Sequence, residues 1–230
     1  MALTELYSGT EAVGATEWSL TTDSSSLAAK TDQGLMQVFL DLSAVTLADL
    51  FRLRVYEKVQ AAGTQRVLVD LMLPPGHTRP QFVLPAIMLK HGWEVTLQKV
   101  AGTDRTITWS IRQVPGIITA LYEGSASIST TEYSLTTNST SLAAKTDDGV
   151  FQLFLDLNAV VLGDEYLLKV YEKVRSADSQ RLVDQVPFVG KPGTPHWQSP
   201  SLILLHGWEM SMDKIAGTDR TVGWSVRQVA

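Results

Sequence analysis

The 230-residue chain contains no cysteine. That absence removes disulfides, thiolate nucleophiles and the common zinc motifs together. Four histidines are a thin remaining supply of transition-metal ligands. No apolar run approaches the roughly 20 residues that a membrane-crossing helix needs. The opening Met1-Ala2-Leu3-Thr4-Glu5 has neither the basic nor the apolar region of a secretory signal. Positive charge is also scarce: 19 Lys and Arg against 24 Asp and Glu leave a formal charge of -5. The basic residues are scattered, whereas a nucleic-acid partner calls for a clustered basic face. The expectations are synthesis in a cytosol, no cofactor, no nucleic-acid partner and no membrane.

What the chain does have is one text written twice. Glu17-Trp18-Ser19-Leu20-Thr21-Thr22 returns as Glu132-Tyr133-Ser134-Leu135-Thr136-Thr137. Val55-Tyr56-Glu57-Lys58-Val59, His91-Gly92-Trp93-Glu94 and Ala101-Gly102-Thr103-Asp104-Arg105 return at 170–174, 206–209 and 216–220. Every pair is 115 positions apart, half the chain. A fixed spacing of domain length indicates a tandem pair of domains rather than a short-repeat solenoid. The division is 1–115 and 116–230, with Pro115-Gly116 stopping the last strand of the first domain and turning the chain.

Within each repeat the apolar period is two, not 3.6. Met36, Val38, Leu40 and Leu42 share one face, as do Phe51, Leu53 and Val55, with the neighbouring arginines outward. About seven strands per repeat are expected, near 3–7, 17–22, 35–42, 51–59, 66–72, 84–91 with 93–100, and 106–114. Pairing the last two as a hairpin around residues 101–105 puts Val95 and Leu97 on one face with Trp109 and Ile111. Residues 86–89, apolar on both faces, read as a central strand. The class is all-β: two tandem, homologous antiparallel β-sandwich or jelly-roll-like domains.

Chemistry finds little support. His91 with Glu94, and His206 with Glu209, lie three apart, so on a strand they face opposite ways. Gly102-Thr103-Asp104-Arg105 lacks the Gly-Lys-Ser/Thr ending of a phosphate loop. Nothing brings two carboxylates together for glycoside hydrolysis, and no Gly-x-Ser-x-Gly elbow is present. Of the six tryptophans, Trp93, Trp109, Trp208 and Trp224 are in phase with the core; Trp18 and Trp197 remain open as sugar platforms. The reading is non-enzymatic. The copies diverge at 67–84 against 182–199, read as a surface loop, and loops on a rigid sandwich are where recognition concentrates. Candidate interface residues are Pro75, His77 and Arg79 in the first copy and His196 and Trp197 in the second, with Pro115 and Gly116 at the join.

Glu165 to Val174, Leu204 to Glu209 and Lys214 to Val229, with their counterparts in the first copy, resemble small proteins encoded among the virion structural genes of tailed bacteriophages. The resemblance covers most of each repeat and brings no catalytic residue with it. It implies a protein located in the virion, assembled in the host cytoplasm, with other capsid or tail proteins as partners and with a homo-oligomeric state. It further implies capsid decoration or cement, with a tail, collar or baseplate component, or a carbohydrate- or receptor-binding module, as the alternatives. A trimer of tandem pairs presents six similar surfaces to a sixfold ring.

Overall fold

The computed structural model describes residues 4–73, 81–116, 118–173 and 175–229. The chain divides into two compact units, Met1–Ile118 and Thr119–Ala230. Both are all-β, and among the described residues there is no helix.

Unit 1 contains β1 (Thr4–Val13), β2 (Trp18–Ser19), β3 (Gly34–Asp41), β4 (Leu50–Glu57), β5 (Arg66–Leu73), β6 (Gln81–Val83), β7 (Ile87–Leu89), β8 (Glu94–Ala101) and β9 (Arg105–Pro115). Its first sheet runs β1-β9-β3, with β6 and β7 following one another along the far side of β3. Its second runs β2-β8-β4-β5. Unit 2 repeats this with β10 (Ile118–Ile128), β11 (Tyr133–Ser134), β12 (Gly149–Asp156), β13 (Glu165–Glu172), β14 (Arg181–Val189), β15 (His196–Gln198), β16 (Leu202–Leu204), β17 (Glu209–Ala216) and β18 (Arg220–Val229). Its sheets are β10-β18-β12, with β15 and β16 beside β12, and β11-β17-β13-β14.

The alternation in the sequence builds these strands. Along β3 and β4 every second residue is buried, and Met36, Val38, Leu40, Phe51, Leu53 and Val55 are at most 3% exposed. Trp93, Trp109, Trp208 and Trp224 are fully buried, as their phase predicts. In unit 2 one apolar cluster draws on both sheets, through Leu153, Leu155, Trp224 and Val226 from one and Leu168, Val170, Met210 and Met212 from the other. Burying each such side chain contributes about 1.5–3 kcal/mol.

Three expectations change. The last two strands of a repeat are not a hairpin: β8 pairs with β4 and β2, whereas β9 pairs with β1 and β3 in the other sheet. Val95 and Leu97 therefore belong to one sheet and Trp109 and Ile111 to the other. The crossing is fixed by Asp49, which accepts the Thr103 amide at 2.9 Å and Arg105 Nε at 2.7 Å. Gly102 makes the corner at φ +88°, where a Cβ would collide with the Asp49 carboxylate.

Residues 86–89 are not a central strand either. Among the described residues β7 pairs only with β3, and Pro85, without an N–H to donate, separates it from β6. Pro200 separates β15 from β16 in the same way. Finally, the described part of the divergent stretch, which leaves out residues 74–80, is mostly strand rather than loop. It comprises the edge strands β5 and β14 and the short strands β6 and β15. An edge strand packs on one side only, which leaves its other positions free to differ.

Candidate interaction surfaces

The repeated motifs are fastened to one another. Glu94, 1% exposed, accepts Ser19 Oγ at 2.7 Å, Thr21 Oγ1 at 2.6 Å and the Ala28 amide at 2.9 Å. Glu209 takes the matching bonds from Ser134 (2.7 Å), Thr136 (2.7 Å) and the Ala143 amide (3.0 Å). Glu57 accepts the amides of Lys90 at 2.6 Å and His91 at 3.1 Å, and Glu172 those of Leu205 and His206. Trp93 Nε1 donates to the Asp32 carbonyl at 2.6 Å and Trp109 Nε1 to the Leu20 carbonyl at 2.9 Å. The Glu of His-Gly-Trp-Glu thus holds the 19–28 segment, and the Glu of Val-Tyr-Glu-Lys-Val holds the backbone of His-Gly-Trp-Glu. Both carboxylate oxygens of Glu94 and of Glu209 accept protein donors. Among the described residues no group of three or more His, Asp or Glu side chains is placed to hold a metal ion.

Asp49 and Asp164 play the same part at the β8–β9 and β17–β18 corners. Asp164 accepts the Thr218 amide at 2.9 Å, the Val161 amide at 3.0 Å and Arg220 Nε at 2.8 Å. The backbone bond from Thr218, then that from Val161 and the Arg220 contact, hold its carboxyl down to about 2. Asp49 is lowered in the same direction, first by the Thr103 amide and then by that of Thr46.

The sequence-chosen interface residues are dispersed. Pro75, His77 and Arg79 lie outside the described residues. Pro115 ends β9 opposite Gly34, and Gly116 is half-buried beyond it. His196 is not an exposed contact residue: it is 1% exposed, with Nε2 3.7 Å from Asp156 Oδ2. Trp197 is not a free anchor, because its ring packs edge-on to Phe188 at 5.2 Å and lies against the core of its own unit. The register explains this. Trp197 pairs with Leu155 on β12, so both side chains point inward, as Phe82 does opposite Leu40 in unit 1.

A surface that the sequence reading passed over is the outer face of the first sheet of unit 1. Glu5, Ser8, Phe39, Asp41, Gln81, Ser110 and Arg112 line a groove of ≈ 310 Å³ there. The Arg112 guanidinium lies 3.9 Å above the Phe39 ring, and its Nε donates to Ser110 Oγ at 3.3 Å. Ser110 in turn donates to Glu5, whose carboxyl the bonds from Ser110 and then Ser8 lower. In unit 2 the same pair recurs as Arg227 over Phe154 at 3.8 Å. The available signal was Phe39 itself: a large aromatic residue out of phase with Met36, Val38 and Leu40.

No protein-family model matches the chain, and no curated protein matches it. Among solved structures, it is similar to the tandem CBM22-1–CBM22-2 domains of Xyn10C from Paenibacillus barcinonensis at 9% identity, covering 99% of this chain and 91% of that one, with a TM-score of 0.27. The PBSX exported protein XepA follows at 12% identity, with 100% and 86% covered and a TM-score of 0.32. The glycosylasparaginase PNGase F of Flavobacterium meningosepticum stands at 11% identity, with 99% and 94% covered and a TM-score of 0.26. Likeness at this level assigns no function.

Proposed function

We propose that this chain is a non-enzymatic structural protein of a tailed-phage virion, acting as a capsid decoration or cement protein. One observation carries the reading. The polar residues that the two copies share most faithfully, Glu94 with Glu209, Glu57 with Glu172 and Asp49 with Asp164, are engaged in holding the fold. Repetition therefore conserves a scaffold, and what each unit presents to neighbours is its outer faces. The resemblance of Glu165 to Val174, Leu204 to Glu209 and Lys214 to Val229 to products of virion structural genes supplies the particle. Other virion proteins are the partners, and duplicated surfaces suit rings with several equivalent positions. A glycan platform has less to stand on, since Trp93 and Trp208 are inside the core.

Quantitative mass spectrometry of purified virions tests this. The chain should appear at a fixed ratio to the major capsid protein that salt washing does not alter. A ratio matching the tail, collar or baseplate proteins moves the assignment to that part. Absence from the particles overturns it.

A further inference from the structure

The groove on the outer face of unit 1 is an array built by strand register. Every second residue of a strand shares a face, so pairing sets which side chains stand abreast. Ser110 on β9 lies opposite Phe39 on β3. Two residues along β3, Asp41 lies opposite Gln81 on β6. Two residues along β9, Arg112 lies opposite Glu5 on β1. A half-buried aromatic ring thus sits between two polar pairs, one with an amide and one with a guanidinium. All these residues belong to unit 1. The groove volume of ≈ 310 Å³ falls at the small end of ligand sites, which run from about 300 to 1,000 Å³.

The polar groups keep hydrogen-bonding capacity to spare. Among the described residues Arg112 hydrogen-bonds only Ser110, through Nε at 3.3 Å. Its guanidinium lies over the Phe39 ring at 3.9 Å, and both terminal amino groups remain as a paired fork. Gln81 is exposed and makes no side-chain hydrogen bond among the described residues. Asp41 accepts the Ser43 amide at 2.9 Å, and Glu5 accepts Ser110 and Ser8. Each carboxylate has about four acceptor sites, so both have lone pairs left for a ligand.

Charge selects the class of ligand. The two carboxylates oppose an anion, and the guanidinium opposes a cation. An apolar ligand would desolvate these groups without replacing their hydrogen bonds. An uncharged ligand dense in hydroxyls satisfies all of them, because each hydroxyl both accepts and donates. Two adjacent hydroxyls match the fork of a guanidinium, and the C–H face of a sugar ring suits the exposed part of Phe39. We propose that this groove binds a neutral pyranose unit of a saccharide. Arg112 and Gln81 donate to its hydroxyls, and Glu5 and Asp41 accept from them. The site makes no use of the tryptophan faces inside the core, and it adds a binding activity that does not depend on the structural role.

Saturation-transfer difference NMR on the full chain tests the proposal. The probes are the methyl glycosides of glucose, galactose, mannose and N-acetylglucosamine, with glucuronate and galacturonate as anionic counterparts. At least one neutral glycoside should receive transfer at its ring protons, with a dissociation constant on the order of 1–10 mM for so small a ligand. The uronates should receive none. Arg112→Leu keeps an apolar contact with Phe39 and removes the fork, and Gln81→Ala removes the free amide. Each should weaken binding at least about fivefold. The melting temperature should stay within about 2 °C of the wild type, since both side chains reach solvent. The proposal is overturned by no transfer to any neutral glycoside at about 50 mM, by binding that either variant leaves unchanged, or by stronger transfer to the uronates.

Discussion

A buried carboxylate is stable only where donors surround it, and Glu94, Glu209, Asp49 and Asp164 each meet that need with backbone amides as well as side chains. Removing Glu94 strands Ser19, Thr21 and the Ala28 amide at once. Glu94→Ala should therefore cost about 3 kcal/mol or more in a urea titration, with at least 1 kcal/mol per stranded donor. Gly102→Ala places a Cβ against Asp49 at a φ of +88°, and a loss of about 1–3 kcal/mol is expected from the same measurement. The pH dependence follows from Asp164. Its carboxyl is near 2 when folded against about 3.9 in a free chain. Its contribution is thus complete above about pH 4 and disappears as the pH falls through about 2. Thermal melts from pH 6 to pH 2 should show this fall, and Asp164→Asn should make it shallower, with Asp49 supplying a further part.

At the scale of the element, alternation made β3 and β4 readable, because burial on one face demands a period of two whatever sheet the strand joins. The same logic hid the β8–β9 crossing. Val95, Leu97, Trp109 and Ile111 all point into one core, and a side-chain pattern cannot distinguish two strands of one sheet from two strands facing each other across it. The signal that separates the cases is Asp49 with Gly102, a contact 53 positions apart that no local rule reveals. Proline and glycine made 67–84 and 182–199 look like loops, although β5 runs through 67–73 and β14 through 182–189. Of the candidate contact residues, Trp197 is half-buried against its own core because its side chain follows the inward phase of Leu155. Phe39 was legible as an aromatic out of phase, once the opposite face of β3 is considered. Two substitutions separate edge from core. Val189→Asp on β14, 74% exposed, should change stability by no more than about 0.5 kcal/mol. Trp109→Ala, 2% exposed, should cost about 3–5 kcal/mol, both read by chemical denaturation.

For the whole molecule, duplication preserves how a unit holds itself together and leaves its outer faces to vary. The core tryptophans, the buried glutamates and the corner aspartates recur at the same places in both units. The outer positions are less constrained: Phe39 and Arg112 border an open groove in unit 1, and Ile203 is 81% exposed in unit 2. On the proposed reading this protein works by contact, and its contacts should lie on its outer faces. The most direct test is a near-atomic reconstruction of the phage virion to which the proposed function assigns this chain. The account predicts density for both units at fixed positions on the particle, with neighbouring subunits meeting their outer faces. Particles without this density, or neighbours seated instead on His-Gly-Trp-Glu and the corner aspartates, would contradict it.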